Sequence, residues 1–223
     1  MMISGSSLLK SVIVAASLAV LFGAGTVAAN AEEPKIEQCL DPEICPIPYV
    51  RLATQETEPF MFHGKVVDEN HPWANDYRNA IRRFPDVRSC LTTDEREKPQ
   101  PDLRQIDRGA IGNIREIDVC VFRIASSIED IETIQLWLRH HGFTMDEVRR
   151  RRRESYVPKY ETEPIFRLWS YLSMEKFREI IPRFWFTRII GLELGRRYAL
   201  YIDFSQNGQV SGVHSSLATK LNK

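Results

Sequence analysis

Apolar and polar positions alternate from Tyr198 to Phe204 and again from Gln209 to Ser215, on either side of Asn207-Gly208. That pattern predicts two antiparallel strands joined by a two-residue turn near the C-terminal end. Elsewhere the spacing changes. Tyr77, Ala80, Ile81 and Phe84 recur at helical intervals after an Asn75-Asp76 cap and stop at Pro85, predicting a short helix. Ile128, Ile131, Ile134 and Leu138 do the same after Ser126-Ser127, with Glu129 and Asp130 each three residues beyond a serine and Gly142 past the end. Between these helices, Ile114 to Ile124 holds Val119, Cys120, Val121 and Phe122 in succession, which predicts a central strand buried on both faces. Thr144 and Glu147 form a further capping pattern and predict a helix carrying Arg149 to Arg153. Ile165, Leu168, Trp169, Leu172, Phe177, Ile180 and Ile181 predict one broken helix or two adjacent ones from Pro164 to Ile181, whereas Trp185 to Leu194 fits helix or strand.

The first 31 residues carry a single charge, Lys10, an apolar run from Val12 to Phe22, and Ala29-Asn30-Ala31, the pattern of a secretory signal peptide cleaved before Glu32. Val12 to Ala31 is also just long enough to span a bilayer, so retention as an anchor is the alternative. Pro34, Pro42, Pro46, Pro48 and Pro59 then exclude regular helix or central strand and describe an extended arm. Thr93 to Arg104 is polar and broken by Pro99 and Pro101, as in a surface loop. The expected organisation is a signal peptide (1–31), a Pro-rich, disulfide-stapled arm (32–60) and one globular domain (61–223). Its class is α+β, with a mostly antiparallel sheet, packed helices and the C-terminal β-hairpin. The β-α unit expected over residues 114–143 is similar to a repeat of SPOR-type peptidoglycan-binding domains, a likeness any β-α unit shares.

Composition narrows the class without naming a function. The 223 residues are 43% hydrophobic and 27% charged, too apolar for a disordered tail and too mixed for a polytopic membrane protein. Thirty basic residues balance thirty acidic ones, so no whole-molecule positive field points to nucleic acid. All four cysteines, Cys39, Cys45, Cys90 and Cys120, follow the signal segment, and an even count in an oxidising compartment favours disulfides. Of three connectivities, Cys39 to Cys45 and Cys90 to Cys120 are expected. The gap between Cys39 and Cys45 is wider than a zinc knuckle uses, and no second close pair follows. A periplasmic or secreted location results.

The candidate chemistry is sparse. Five consecutive arginines, Arg149 to Arg153, could fork hydrogen bonds to an anion. On the expected helix they ring the axis, so Arg149, Arg150 and Arg153 are the candidate binding set, for an anionic lipid, lipopolysaccharide or acidic glycan. Pairing with Glu154, Glu161 or Glu163 is the plainer alternative. Ser173-Met174-Glu175-Lys176 and Ser205-Gln206-Asn207 resemble two of three motifs of the penicillin-binding proteins, which implies a lysine-activated serine nucleophile. The third motif, Lys-Thr-Gly, is missing, and capping and turn formation also account for these residues. In the hairpin, Tyr201 faces His214 with Asp203 one diagonal step away, an arrangement that could serve acid–base work or simply form a polar outer face. His140 and His141 diverge, and His63 and His71 lie in a loop-rich region without a recognisable third ligand, so no metal and no cofactor are assigned. The resulting expectation is an exported, non-enzymatic envelope or interaction protein with an unidentified protein partner left open. The alternative is an exported hydrolase or transferase with an unrecognised active site.

Overall fold

A computed structural model describes residues 46–150, 166–180 and 197–218. Residues 1–31, expected to be a signal peptide, and Cys39, Cys45, Arg153 and residues 185–194 lie outside them. In chain order the elements are β1 (Met61–Phe62), β2 (Lys65–Val66), α1 (Ala74–Arg83), α2 (Thr93–Arg96), α3 (Ile114–Ile128), α4 (Ile131–His140), β3 (Thr144–Met145), β4 (Arg149–Arg150), β5 (Phe166–Ser173), α5 (Met174–Ile180), β6 (Arg197–Phe204) and β7 (Val210–Ala218). β1 and β2 form a small antiparallel ribbon. The remaining strands form one antiparallel sheet in the order β3-β5-β6-β7, with β4 pairing farther along the same edge of β5. The chain is α+β, and β6 and β7 close the expected C-terminal hairpin.

The expected central strand is instead α3. Asn113 caps it by accepting from the backbone N–H groups of Arg115 and Glu116, and Glu116 accepts in turn from Gly112 N–H. From Glu116 to Ile128 every residue is buried, because α1, α4, residues 46–60 and the sheet surround the helix. An apolar run covered on all sides carries no period that separates helix from strand. Most of its buried polar atoms are paired, Arg123 Nε and Ser126 Oγ being exceptions. Asp118 accepts from Tyr77 Oη at 2.9 Å, Arg115 at 3.2 Å and Ser215 Oγ. Arg123 reaches the carbonyls of Thr54 and Glu58 and the side chain of Gln55. Ser127, expected to cap the next helix, lies inside α3 and accepts from Ala53 N–H at 3.0 Å. Glu129, at φ 63°, breaks the chain there, and Asp130 caps α4.

Two more expectations change. The helix expected from Thr144 is a pair of short strands, because the backbone of residues 144–150 finds partners along the open edge of β5. The first half of the helix expected between Pro164 and Ile181 is β5, and the second half is α5. Leu168 and Leu172 are four apart, a spacing shared by one face of a helix and one face of a strand. Ser170, buried between them with Oγ donating to the Leu200 carbonyl at 3.2 Å, hid the two-residue period. The loop expected from Thr93 holds one helical turn, α2, before its prolines.

Tyr198, Leu200, Ile202 and Phe204 on β6, with Leu168, Leu172 and Val213, turn toward α3 and make the core. A disulfide joins Cys120 of α3 to Cys90 in a single 3-10 turn, as expected from the sequence.

Candidate functional site

The face of the sheet turned away from α3 carries the chemistry. Antiparallel register arranges its residues in rows: Arg167, Asp203 and Gly212; then Trp169, Tyr201 and His214; then Tyr171, Ala199 and Ser216. Tyr201 stacks on His214 with ring centres 4.7 Å apart, so the expected opposition of these two residues is present. The turn that sets it differs from expectation. Gly208 N–H bonds to the Ser205 carbonyl and Ser205 N–H to that of Gln209, leaving a three-residue connection, and a register shift between Asp203 and Phe204 restores the pairing of Tyr201 with His214.

That irregularity and Gly212 admit a visitor. Ser211 presents its carbonyl to Gly64 N–H at 2.7 Å, which docks the β1–β2 turn on β7. His63 and Gly64, the turn residues, have φ of 52° and 80°, the left-handed pair a tight two-residue hairpin requires. A Cβ at position 212 would stand 2.8 Å from His63 N, so only glycine lets the turn approach this closely. His63 is thereby laid over the Asp203 row.

Asp203 is fully buried and is the hub of the cluster. It accepts from Arg167 Nε at 2.6 Å and Arg167 Nη2 at 3.0 Å, one to each carboxylate oxygen. His63 Nδ1 lies 2.9 Å and His214 Nδ1 3.9 Å from Asp203 Oδ2. His63 Nδ1 is also 3.1 Å from Arg167 Nη2. With a proton on Nδ1 the imidazole donates to the carboxylate; with Nδ1 bare it accepts from the guanidinium. Burial alone would raise the Asp203 carboxyl, but hydrogen bonds from His63 and Arg167 and the charges of Arg167 and His214 outweigh it and hold it well below the usual carboxylate range. Phe62 packs against both imidazoles, with ring centres 4.2 Å from His63 and 5.4 Å from His214. The three candidate donor atoms of His63, Asp203 and His214 lie within 4.8 Å of one another.

Arginines extend the face in both directions. Arg149 is exposed on β4 and stands opposite Arg167. At the far end, exposed Arg197 lies over the rings of Trp169 and Tyr171, 5.4 and 5.5 Å from their centres. Residues 149 and 150 are in a strand paired with β5, so Arg149 does not stand on a helical stripe as expected. The serine motifs do not converge either. Ser173 and Ser205 lie at opposite ends of the β5–β6 ladder, about 26 Å apart at 3.3 Å per residue, and Ser173 Oγ accepts from Lys176 N–H as a cap on α5.

The expected polar outer face is thus a buried charge cluster at the Asp203 row. Sequence reading missed His63 because its partner lies 140 positions away. Two signals pointed toward it: a glycine inside a strand, and His63-Gly64 between short β-forming pairs. No family model, curated protein or solved structure matches this chain.

Proposed function

We propose that the chain is an exported, non-enzymatic envelope protein that holds an extended acidic glycan along the β4–β5–β6 face. One observation carries the reading: Arg149, Arg167 and Arg197 bracket Trp169, Tyr171 and Tyr201 on this face. Among the strand residues of the face Asp203 is the one carboxylate, and Arg167 already neutralises it. From the Arg149 row to the Arg197 row is six residues of β5, about 20 Å, a length suited to a linear polymer. Exposed guanidinium groups fork onto carboxylate or sulfate oxygens, while the half-buried aromatic edges between them meet the apolar parts of sugar rings. The leader-like residues 1–31 and the Cys90–Cys120 disulfide support an oxidising, extracytoplasmic location.

The test uses protein isolated from the envelope fraction, whose N-terminus should read Glu32. Binding to an immobilised acidic polysaccharide should weaken from 0.1 M to 1 M salt, as the Debye length shrinks from about 10 Å to about 3 Å. Arg149→Gln with Arg197→Gln should weaken it about tenfold, on the order of 0.7 kcal/mol per exposed arginine. Arg82→Gln, on exposed α1, should leave it unchanged. Binding absent at low salt, or indifferent to the paired substitution, overturns the reading.

A further inference from the structure

We infer that His63, Asp203 and His214 form a binding site for a divalent transition-metal ion of borderline softness, such as zinc. The site draws its ligands from two places distant in the chain, the β1–β2 turn and the β6–β7 hairpin. Two imidazole nitrogens and one carboxylate oxygen are the donor set such ions prefer, and three protein donors leave a further position for water or an anionic oxygen.

The spacing is close to what coordination needs. Metal–ligand bonds of about 2.1 Å at tetrahedral or right angles place donor atoms about 3.0–3.4 Å apart. His63 Nδ1 and His214 Nδ1 lie 2.9 and 3.9 Å from Asp203 Oδ2, values that straddle that window. The remaining spacing, up to 4.8 Å, closes by an inward swing of the His214 ring.

The surroundings prepare the ligands. Arg167 occupies one lone pair on each carboxylate oxygen and keeps Asp203 oriented, and Oδ2, the oxygen nearest both imidazoles, retains one further lone pair. Tyr201 stacks on the His214 ring, and Phe62 walls both imidazoles, which restricts them to small rotations. In the metal-free protein the His63–Asp203 hydrogen bond holds the same groups together; the ion would take the place of the shared proton, which leaves to solvent. The guanidinium of Arg167 opposes a second positive charge nearby, so the ion should exchange readily and not be locked in as in a closed structural site.

The experiment takes chelator-treated, metal-free protein and titrates it with zinc against a chromophoric competitor, and with cobalt(II) to read its visible absorption. One equivalent should bind and raise the melting temperature. His214→Ala should weaken binding at least tenfold and alter the cobalt spectrum. His63→Asn should do the same while keeping the turn, because asparagine tolerates the left-handed conformation. Melting of the metal-free variants shows that each is folded. His140→Ala should bind as the unaltered protein does. Failure of the unaltered protein to bind an equivalent of zinc or cobalt, or unchanged binding in folded His214→Ala and His63→Asn, overturns the inference.

Discussion

Gly212 decides whether His63 reaches Asp203. Its missing side chain is the clearance through which the β1–β2 turn approaches β7, and a methyl group there would meet backbone, which cannot rotate away. Gly212→Ala should therefore cost about 1–3 kcal/mol, the range for overpacking a filled site. It should also part His63 from Asp203, read as a change in the His63 ring signals by NMR. Gly208→Ala makes the contrast, since that glycine has φ of 80° and open space around it. It should cost about 1 kcal/mol through backbone conformation alone, leaving the His63 signals in place. Equal losses with unshifted His63 signals in both variants would show that Gly212 has no special role. At this scale the hairpin half of the site was legible: the alternation about Asn207-Gly208 places Tyr201 opposite His214 and Asp203 beside them. The other half was not. Whether Asp203 faces water or another side chain depends on a turn 140 residues earlier, and local periodicity carries no information about that.

Among the elements, α3 is the one on which the rest of the fold converges. It meets α1, α4, the sheet and residues 46–60, and the Cys90–Cys120 disulfide ties it to the 3-10 turn before α2. The bridge spans a separation of 30 residues, so removing it frees the unfolded chain by about 3–4 kcal/mol on the loop-entropy account. Cys90→Ser should lower the urea midpoint accordingly and steepen the slope somewhat, since the unfolded chain, no longer cross-linked, exposes more surface. A loss below 1 kcal/mol would mean that the 3-10 turn is held by its other contacts, among them Arg88 to the carbonyls of Arg96 and Lys98. Among the elements legible in the sequence, α1 and α4 each have one buried and one open face, and the β6–β7 hairpin keeps its alternation of core-facing apolar residues although the β1–β2 turn covers part of its other face. α3 has no open face, and its Ile and Val side chains argue locally for a strand. Its Asn113 and Glu116 caps were the signal available, outweighed by the apolar run that follows. β5 fails for a different reason, since two leucines four apart satisfy both periods and the buried residue between them is a serine.

Over the whole molecule, buried ionisable groups set opposing responses to acid. Burial pushes the Asp118 carboxyl up to about 6 from its usual 3.8, against hydrogen bonds from Ser215 and Tyr77 and the charge of Arg115. The folded state therefore holds that proton more tightly, and stability falls as pH rises from about 4 to 6, by on the order of 3 kcal/mol in all. His141 works the other way. Burial, with the charges of His140 and Arg108 and against that of Asp102, lowers it from 6.5 to about 3, so stability present above pH 6.5 is lost as pH falls. His71, also lowered, adds to that loss. Between pH 6 and 4 the Asp118 and His141 slopes, each about 1.4 kcal/mol per pH unit, nearly cancel. Below about pH 4 Asp118 has stopped contributing while Asp203, held low by His63 and Arg167 against its burial, begins to take up its proton in the unfolded chain first. Urea midpoints at constant ionic strength should accordingly decline only gently from pH 6 to 4, by the share of His71, and drop steeply beneath. Asp118→Asn removes one arm of the balance and should uncover a steady decline between pH 6 and 4. His141→Gln removes the other, and its stability should rise over the same interval on acidification. If the unaltered protein already loses about 1.4 kcal/mol per unit across that window, and Asp118→Asn leaves the slope as it was, Asp118 does not hold its proton in the fold and the balance does not exist.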